Sequence, residues 1–103
     1  MITVEQLKSY IPIDETDALI ETNLGRAVES AHALILGSVG EDIEELLPGD
    51  PRVTELELRY ASDIFQGRSS SAKQGAAEDR LTQAMENQLR FELRRRRQGA
   101  TAT

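Results

Sequence analysis

The 103-residue chain has no cysteine and no tryptophan, one histidine, and only four phenylalanine and tyrosine residues together. Without cysteine there is no disulfide scaffold, no thiolate zinc site and no thiol nucleophile. A single histidine rules out sites built from several imidazoles and makes metal binding through histidine very unfavourable as an expectation. It also leaves His32 as the sole imidazole base for a serine or threonine nucleophile. With so few aromatic rings, the core must come from Leu, Ile, Val and Ala, a mixture that leans toward helix. The longest apolar run, residues 33–36, is far short of the roughly 20 residues that span a bilayer. The opening MITVEQLKSY lacks a basic start followed by an apolar stretch, so no secretory signal is expected and the reading is of a soluble cytoplasmic protein. The glycines form neither GxGxxG nor GxxxxGK, which removes the common phosphate cradles.

Charge is present in excess and is segregated. The net charge is −6. Residues 1–66 carry 14 acidic and 4 basic side chains, and residues 67–103 carry 4 acidic and 8 basic, so the two parts stand at −10 and +4. Such asymmetry bears on partners rather than on fold.

The apolar pattern is helical throughout. Thr3 followed by Gln6 is a capping box, and the spacing predicts a short helix from Val4 to about Tyr10, stopped by Pro12. Asp14 offers the next N-cap, and a second helix is expected over about 15–36. Its stripe is Ile20, Leu24, Ala27, Val28, Ala31, Leu34 and Ile35, with Gly37 just past its end. Residues 41–47 suffice for two turns that point Ile43, Leu46 and Leu47 inward. Asp50 and Pro51 then start a helix that ends at Gly67, with Val53, Leu56, Tyr60, Ala61 and Ile64 as its stripe. A polar mobile loop is expected near 67–75. A last helix over about 76–97 follows, longer than a small core covers, with projecting C-terminal turns and a frayed tail from Gln98. The fold class is all-α, a small bundle of about four helices with a long C-terminal one. Residues 1–93 form a single domain and 94–103 a basic helix end with a disordered tail.

The chemistry-bearing residues are few. His32 lies beside the apolar stripe of the second helix, where a partly buried histidine is the plain reading. Asp14, Glu15, Asp17 and Glu21 cluster at one helix start, and Glu41, Asp42, Glu44 and Glu45 form a second group. Neither has calcium-loop spacing, so they read as an acidic surface, with a subunit contact or a channel lining as the functional alternative. Leu89, Arg90, Phe91, Leu93, Arg94, Arg95, Arg96 and Arg97 combine apolar anchors with positive charge at one helix end. Docking to a protein partner, a simple complement to the helix dipole, and nucleic-acid binding are the three readings. No catalytic set, metal-ligand set or cofactor motif emerges, and an enzyme is not expected.

The layout resembles the head-tail connector (adaptor) proteins of tailed bacteriophages. Their pattern is a short helix "sxeelKxyLxI", a "DxxDAxL" start to a long helix that ends in "aaxxxI", a variable loop, and a helix "pxxxxxailxlaxxlYexR". Val4, Leu7, Lys8, Tyr10, Ile13, Asp14, Asp17, Ala18, Leu19, Ile20 and Ala31 sit where the first part wants them. Pro51, Leu58, Ala61, Ile64, Phe65 and Arg68 fit the second part more loosely. The resemblance covers about residues 2–68. It implies a non-enzymatic virion protein that forms a ring of about twelve copies under the portal protein. The ring prolongs the DNA channel, which DNA crosses without sequence-specific binding, and receives a stopper or tail-completion protein. Localisation would be the head-tail interface, with host cytoplasm during assembly, no membrane and no cofactor. The rival reading is a small helical nucleic-acid-binding protein, such as a terminase small subunit or a regulator, that uses the Arg-rich helix.

Overall fold

The computed structural model describes residues 1–11, 13, 17–67 and 74–101, with side chains from 80 to 99 in the last segment. Its elements are α1 (Val4–Tyr10), α2 (Ala18–Ser38), α3 (Ile43–Leu46), α4 (Pro51–Gln66) and α5 (Gln74–Thr101). The fold is all-α, a small bundle with a long C-terminal helix, as the periodicity predicts.

Local chemistry sets the helix ends. Thr3 Oγ1 accepts from Gln6 N–H while the Gln6 side chain accepts from Thr3 N–H, so the capping box that opens α1 is complete. The second N-cap is Asp17 rather than Asp14: its Oδ1 accepts from Ile20 N–H at 2.9 Å, and α2 starts three residues later than expected. Asp14 lies outside the described residues. At its other end α2 runs through Gly37 to Ser38. Gly37 is therefore not the terminator, because the Arg90 guanidinium of α5 donates to the Ser38 carbonyl at 2.6 Å and satisfies an orphan acceptor there. The predicted two turns at 41–47 shrink to the single turn of α3, and Pro48, which has no N–H to continue the ladder, follows at once. Asp50 and Pro51 start α4 as expected, and Gly67 closes it at φ 63°, a left-handed conformation that glycine adopts without strain.

α4 is the centre of the bundle. It runs antiparallel to α2, pairing its late Ala61 with Leu24, Val28 and Ala31, and its early Leu56 with Ile35. Ile2, Leu7 and Ile11 of the α1 region close the first of these clusters. Leu89 and Leu93 of α5 close the second, against Leu56, Ile43 and Leu47. Tyr60 touches both clusters and joins them. Each fully buried leucine contributes about 1.5–3 kcal/mol through removal from water.

Three expected core or tail assignments need correction. Leu34 is 49% exposed and Ile64 39% exposed. Both flank the buried line of their helices rather than lying on it, and no element among the described residues covers that side. The projecting C-terminal turns are the third. With 28 residues α5 is about 42 Å long, against about 24 Å for α4, so it does overhang. However, residues 85–97 lie against α3 and α4, and the helix continues to Thr101 through the stretch expected to fray. The side chains of Arg80, Leu81, Gln83 and Ala84, toward the other end, are exposed, as are those of residues 94–98. The radius of gyration of 15.0 Å exceeds the roughly 13 Å of a compact domain this size, in keeping with that elongation. Most of the expected mobile loop, residues 68–73, lies outside the described residues.

Candidate functional site

α5 turns its eight candidate residues in different directions. Leu89 and Leu93, expected as exposed anchors for a partner, are fully buried in the molecule's own core. The reason is register: α5 packs antiparallel on α4 along its second half, so these two positions face Leu56 and Ile43. Arg90 is also used internally. Beyond the Ser38 carbonyl it donates to Asn87 Oδ1 at 2.9 Å and to Glu86 Oε2 at 3.2 Å. Glu86 Oε1 in turn accepts the Tyr60 hydroxyl, so one polar network ties α2, α4 and α5. Burial, together with that carboxylate acceptor, pushes the Tyr60 hydroxyl up to about 12. Arg97 grips Asp42 with two guanidinium donors, Nε at 2.6 Å, and holds that carboxyl below the usual carboxylate range.

What remains outward is a smaller patch. Phe91 is 59% exposed, and Arg94, Arg95 and Arg96 are exposed beside it. At 3.6 residues per turn, Phe91, Arg94 and Arg95 share one face. Arg95 reaches Glu92 at 3.8 Å, a loose surface pair of little energetic weight.

The acidic candidates also separate. Asp14 and Glu15 lie outside the described residues. Asp17 is spent as an N-cap. Asp42 is held by Arg97, and Glu44 accepts from the Met1 ammonium at 2.8 Å. That bond lowers the Glu44 carboxyl and raises the ammonium. Glu41, just before α3, and Glu45, within it, stay exposed.

One group of residues was not expected. Glu57, in the middle of the apolar stripe of α4, is only 2% exposed. Its Oε2 accepts from the Ile2 backbone N–H at 2.8 Å, and its Oε1 lies 3.0 Å from His32 Nδ1. The same imidazole nitrogen is 3.6 Å from Glu44 Oε1. A half-buried imidazole from α2, a half-exposed carboxylate from α3 and a buried carboxylate from α4 thus converge, with their donor atoms within 4.8 Å of one another. A cleft of about 360 Å³ opens alongside, lined by Met1, Ile2, Glu44, Asp50, Thr54 and Glu57 among others. The signal for Glu57 was present in the sequence: it stands four residues after Val53 and four before Ala61, a charge at a core position.

No helix among the described residues is long and apolar enough to cross a membrane. No family model, curated protein or solved structure matches the chain.

Proposed function

We propose that the chain is a structural, non-enzymatic subunit of a phage head-tail connector ring, one that docks under the portal protein and extends the DNA channel. The observation that carries this reading is the outward face of α5, where a largely exposed Phe91 shares one face with the exposed Arg94 and Arg95, on a protein whose first 66 residues stand at −10. An aromatic anchor rimmed by guanidinium groups suits an acidic groove on a partner protein. The order of helices, from a capped short helix through a long Asp-capped helix to a Pro51-initiated one, fits the same resemblance on which the ring of about twelve rests. In that ring the charge segregation favours head-to-tail contact between copies, which closes when the rotation allows. A stopper or tail-completion protein would bind the free end of the ring.

The test is co-purification with a portal protein encoded near its gene, in dilute buffer and in 1 M salt. Docking should fail in a variant carrying Phe91→Ala with Arg94, Arg95 and Arg96 changed to Gln, while circular dichroism stays unchanged. Equal recruitment of that variant would end the docking reading. The three consecutive exposed arginines also favour a second reading, contact with nucleic acid. Binding to duplex DNA that falls steeply with salt would select it.

A further inference from the structure

We propose that His32, Glu44 and Glu57 form a binding site for a divalent transition-metal cation of the zinc class. The site is independent of the assembly reading, and four observations converge on it. The first is spacing. Zinc holds imidazole nitrogen and carboxylate oxygen at about 2.0–2.2 Å in a tetrahedron, which places neighbouring donors roughly 3.3 Å apart. Here the Nδ1–Oε1 separations are 3.0 Å to Glu57 and 3.6 Å to Glu44, on either side of that value. The two carboxylates lie within 4.8 Å of each other, so a cation shared with the imidazole draws them together through side-chain rotation.

The second is burial. A carboxylate with 2% exposure in an apolar stripe is costly unless positive charge or donors compensate it. Glu57 has one backbone N–H on Oε2, which orients the carboxylate and leaves Oε1 aimed at the imidazole. Ligating carboxylates are commonly held in this way by a hydrogen bond to the oxygen that faces away from the metal. The third is rigidity: the donors come from three helices whose adjoining core residues, Ala31, Ile43 and Leu56, are fully buried. The fourth is access, since the cleft reaches both carboxylate residues from solvent.

The donor set selects the class of ion. Calcium takes six to eight oxygen ligands, and magnesium keeps an oxygen octahedron. One imidazole with two carboxylates is instead the three-ligand, mixed nitrogen and oxygen set that zinc and its first-row neighbours accept, with a fourth position for water. The Met1 ammonium now beside Glu44 Oε1 marks where positive charge is drawn, and an incoming metal ion competes with it there.

The experiment titrates the untagged, chelator-treated full chain with zinc chloride by calorimetry, and with cobalt chloride by visible absorption. Magnesium chloride serves as the control. The expected result is one zinc per chain, a raised melting temperature that chelator reverses, and cobalt absorption bands of tetrahedral character. His32→Gln and Glu57→Gln should each weaken zinc binding by about 10-fold or more, and Glu44→Gln should weaken it as well. The Glu41→Gln, Glu45→Gln double variant should bind as the parent does. Zinc binding no tighter than magnesium, or unchanged in His32→Gln and Glu44→Gln, overturns the proposal and leaves an ion-paired cluster. Those two side chains are not fully buried, so the decision stands even if Glu57→Gln fails to fold.

Discussion

Replacing Leu93 by alanine removes three carbon atoms from a side chain with no exposed surface, packed among Ile43, Leu47, Leu56 and Leu89. At about 0.8 kcal/mol per buried methylene-sized group, the transfer cost alone is roughly 2–2.5 kcal/mol. The cavity adds to that, because three helices and the turn at Gly40 fix its walls, which brings the expected loss to about 3–4 kcal/mol within the usual range for buried leucine. A domain of this size has about 5–15 kcal/mol in total, so the variant loses a large share of its stability. Phe91→Ala, two residues earlier on the same helix, removes a larger side chain that is mostly in water and should cost under about 0.5 kcal/mol. Urea unfolding followed by circular dichroism measures both, with the slope compared to confirm that the native state stays compact. Truncation after Glu92, which removes Leu93 together with the Arg97–Asp42 grip, should destabilise at least as much as Leu93→Ala. A loss below about 0.5 kcal/mol for both Leu93→Ala and the truncation would refute the packing of α5 and return its end to solvent.

Gly40→Ala should cost about 1–3 kcal/mol in the same assay, because a Cβ there would lie 2.8 Å from the buried Leu93 Cδ1 and 2.7 Å from an Arg97 nitrogen. Asp50→Ala should cost about 0.5–2 kcal/mol through the lost cap on Arg52 N–H. The Asp50 carboxyl is held low by its hydrogen bond from the Arg52 side chain, so its contribution is present above the ordinary aspartate range and disappears as pH falls through the lowered value. A stability loss on Asp50→Ala that is the same at pH 7 and at pH 2 would contradict that linkage. In a Tyr10→Phe background, tyrosinate absorbance should titrate near 12 for Tyr60. The hydroxyl is raised in the folded state, so its contribution is whole below about pH 10 and declines as pH rises toward 12. A midpoint near 10 in the folded protein would show the hydroxyl to be solvated.

Helix existence was legible because it rests on local rules. Thr3 with Gln6, Asp50 with Pro51, and Gly67 each satisfy or terminate backbone groups within four residues, and the structure uses all of them as expected. The misplaced end of α2 has a tertiary cause. Gly37 has the right chemistry to end α2, yet a guanidinium from 52 residues away supplies the acceptor's partner and lets the helix run on. Leu34 and Leu89 show the same limit for burial. Leu34 sits in a periodic apolar row and Leu89 is an apolar position of the last helix, but which side is covered depends on where α5 lands, and the spacing within one helix carries no record of its neighbour's register. The acidic and basic runs were equally opaque: Asp42 and Arg97 pair across 55 residues, so two residues that charge alone assigns to the surface are committed to each other.

The His32–Glu44–Glu57 cluster sets a different problem, because its parts were unequal in the sequence. His32 stands out as the lone imidazole, Glu44 is one of four neighbouring acids, and Glu57 is a single charge within an apolar stripe. A carboxylate at a core position is nevertheless the more informative residue. Burying it unpaired costs several kcal/mol, so the fold must bring it a partner, and the stripe's geometry says which helices can do so. α4 packs antiparallel on α2, and Ala61 opposite Val28 puts residue 57 opposite residue 32, since each step forward on one helix is a step back on the other. His32 is thus the residue of α2 that the register delivers. Ile2 N–H and Glu44 arrive through the packing of Ile2 and Ile43 into the two core clusters. The polar site is assembled by apolar contacts around it, and removing the charge should be tolerated better than removing its partners. Glu57→Gln keeps the shape and the acceptor for Ile2 N–H, whereas His32→Ala leaves a buried carboxylate that has lost its imidazole. The second should destabilise more than the first, and chemical denaturation of the two variants side by side would expose the reverse order if Glu57 were held by Ile2 alone.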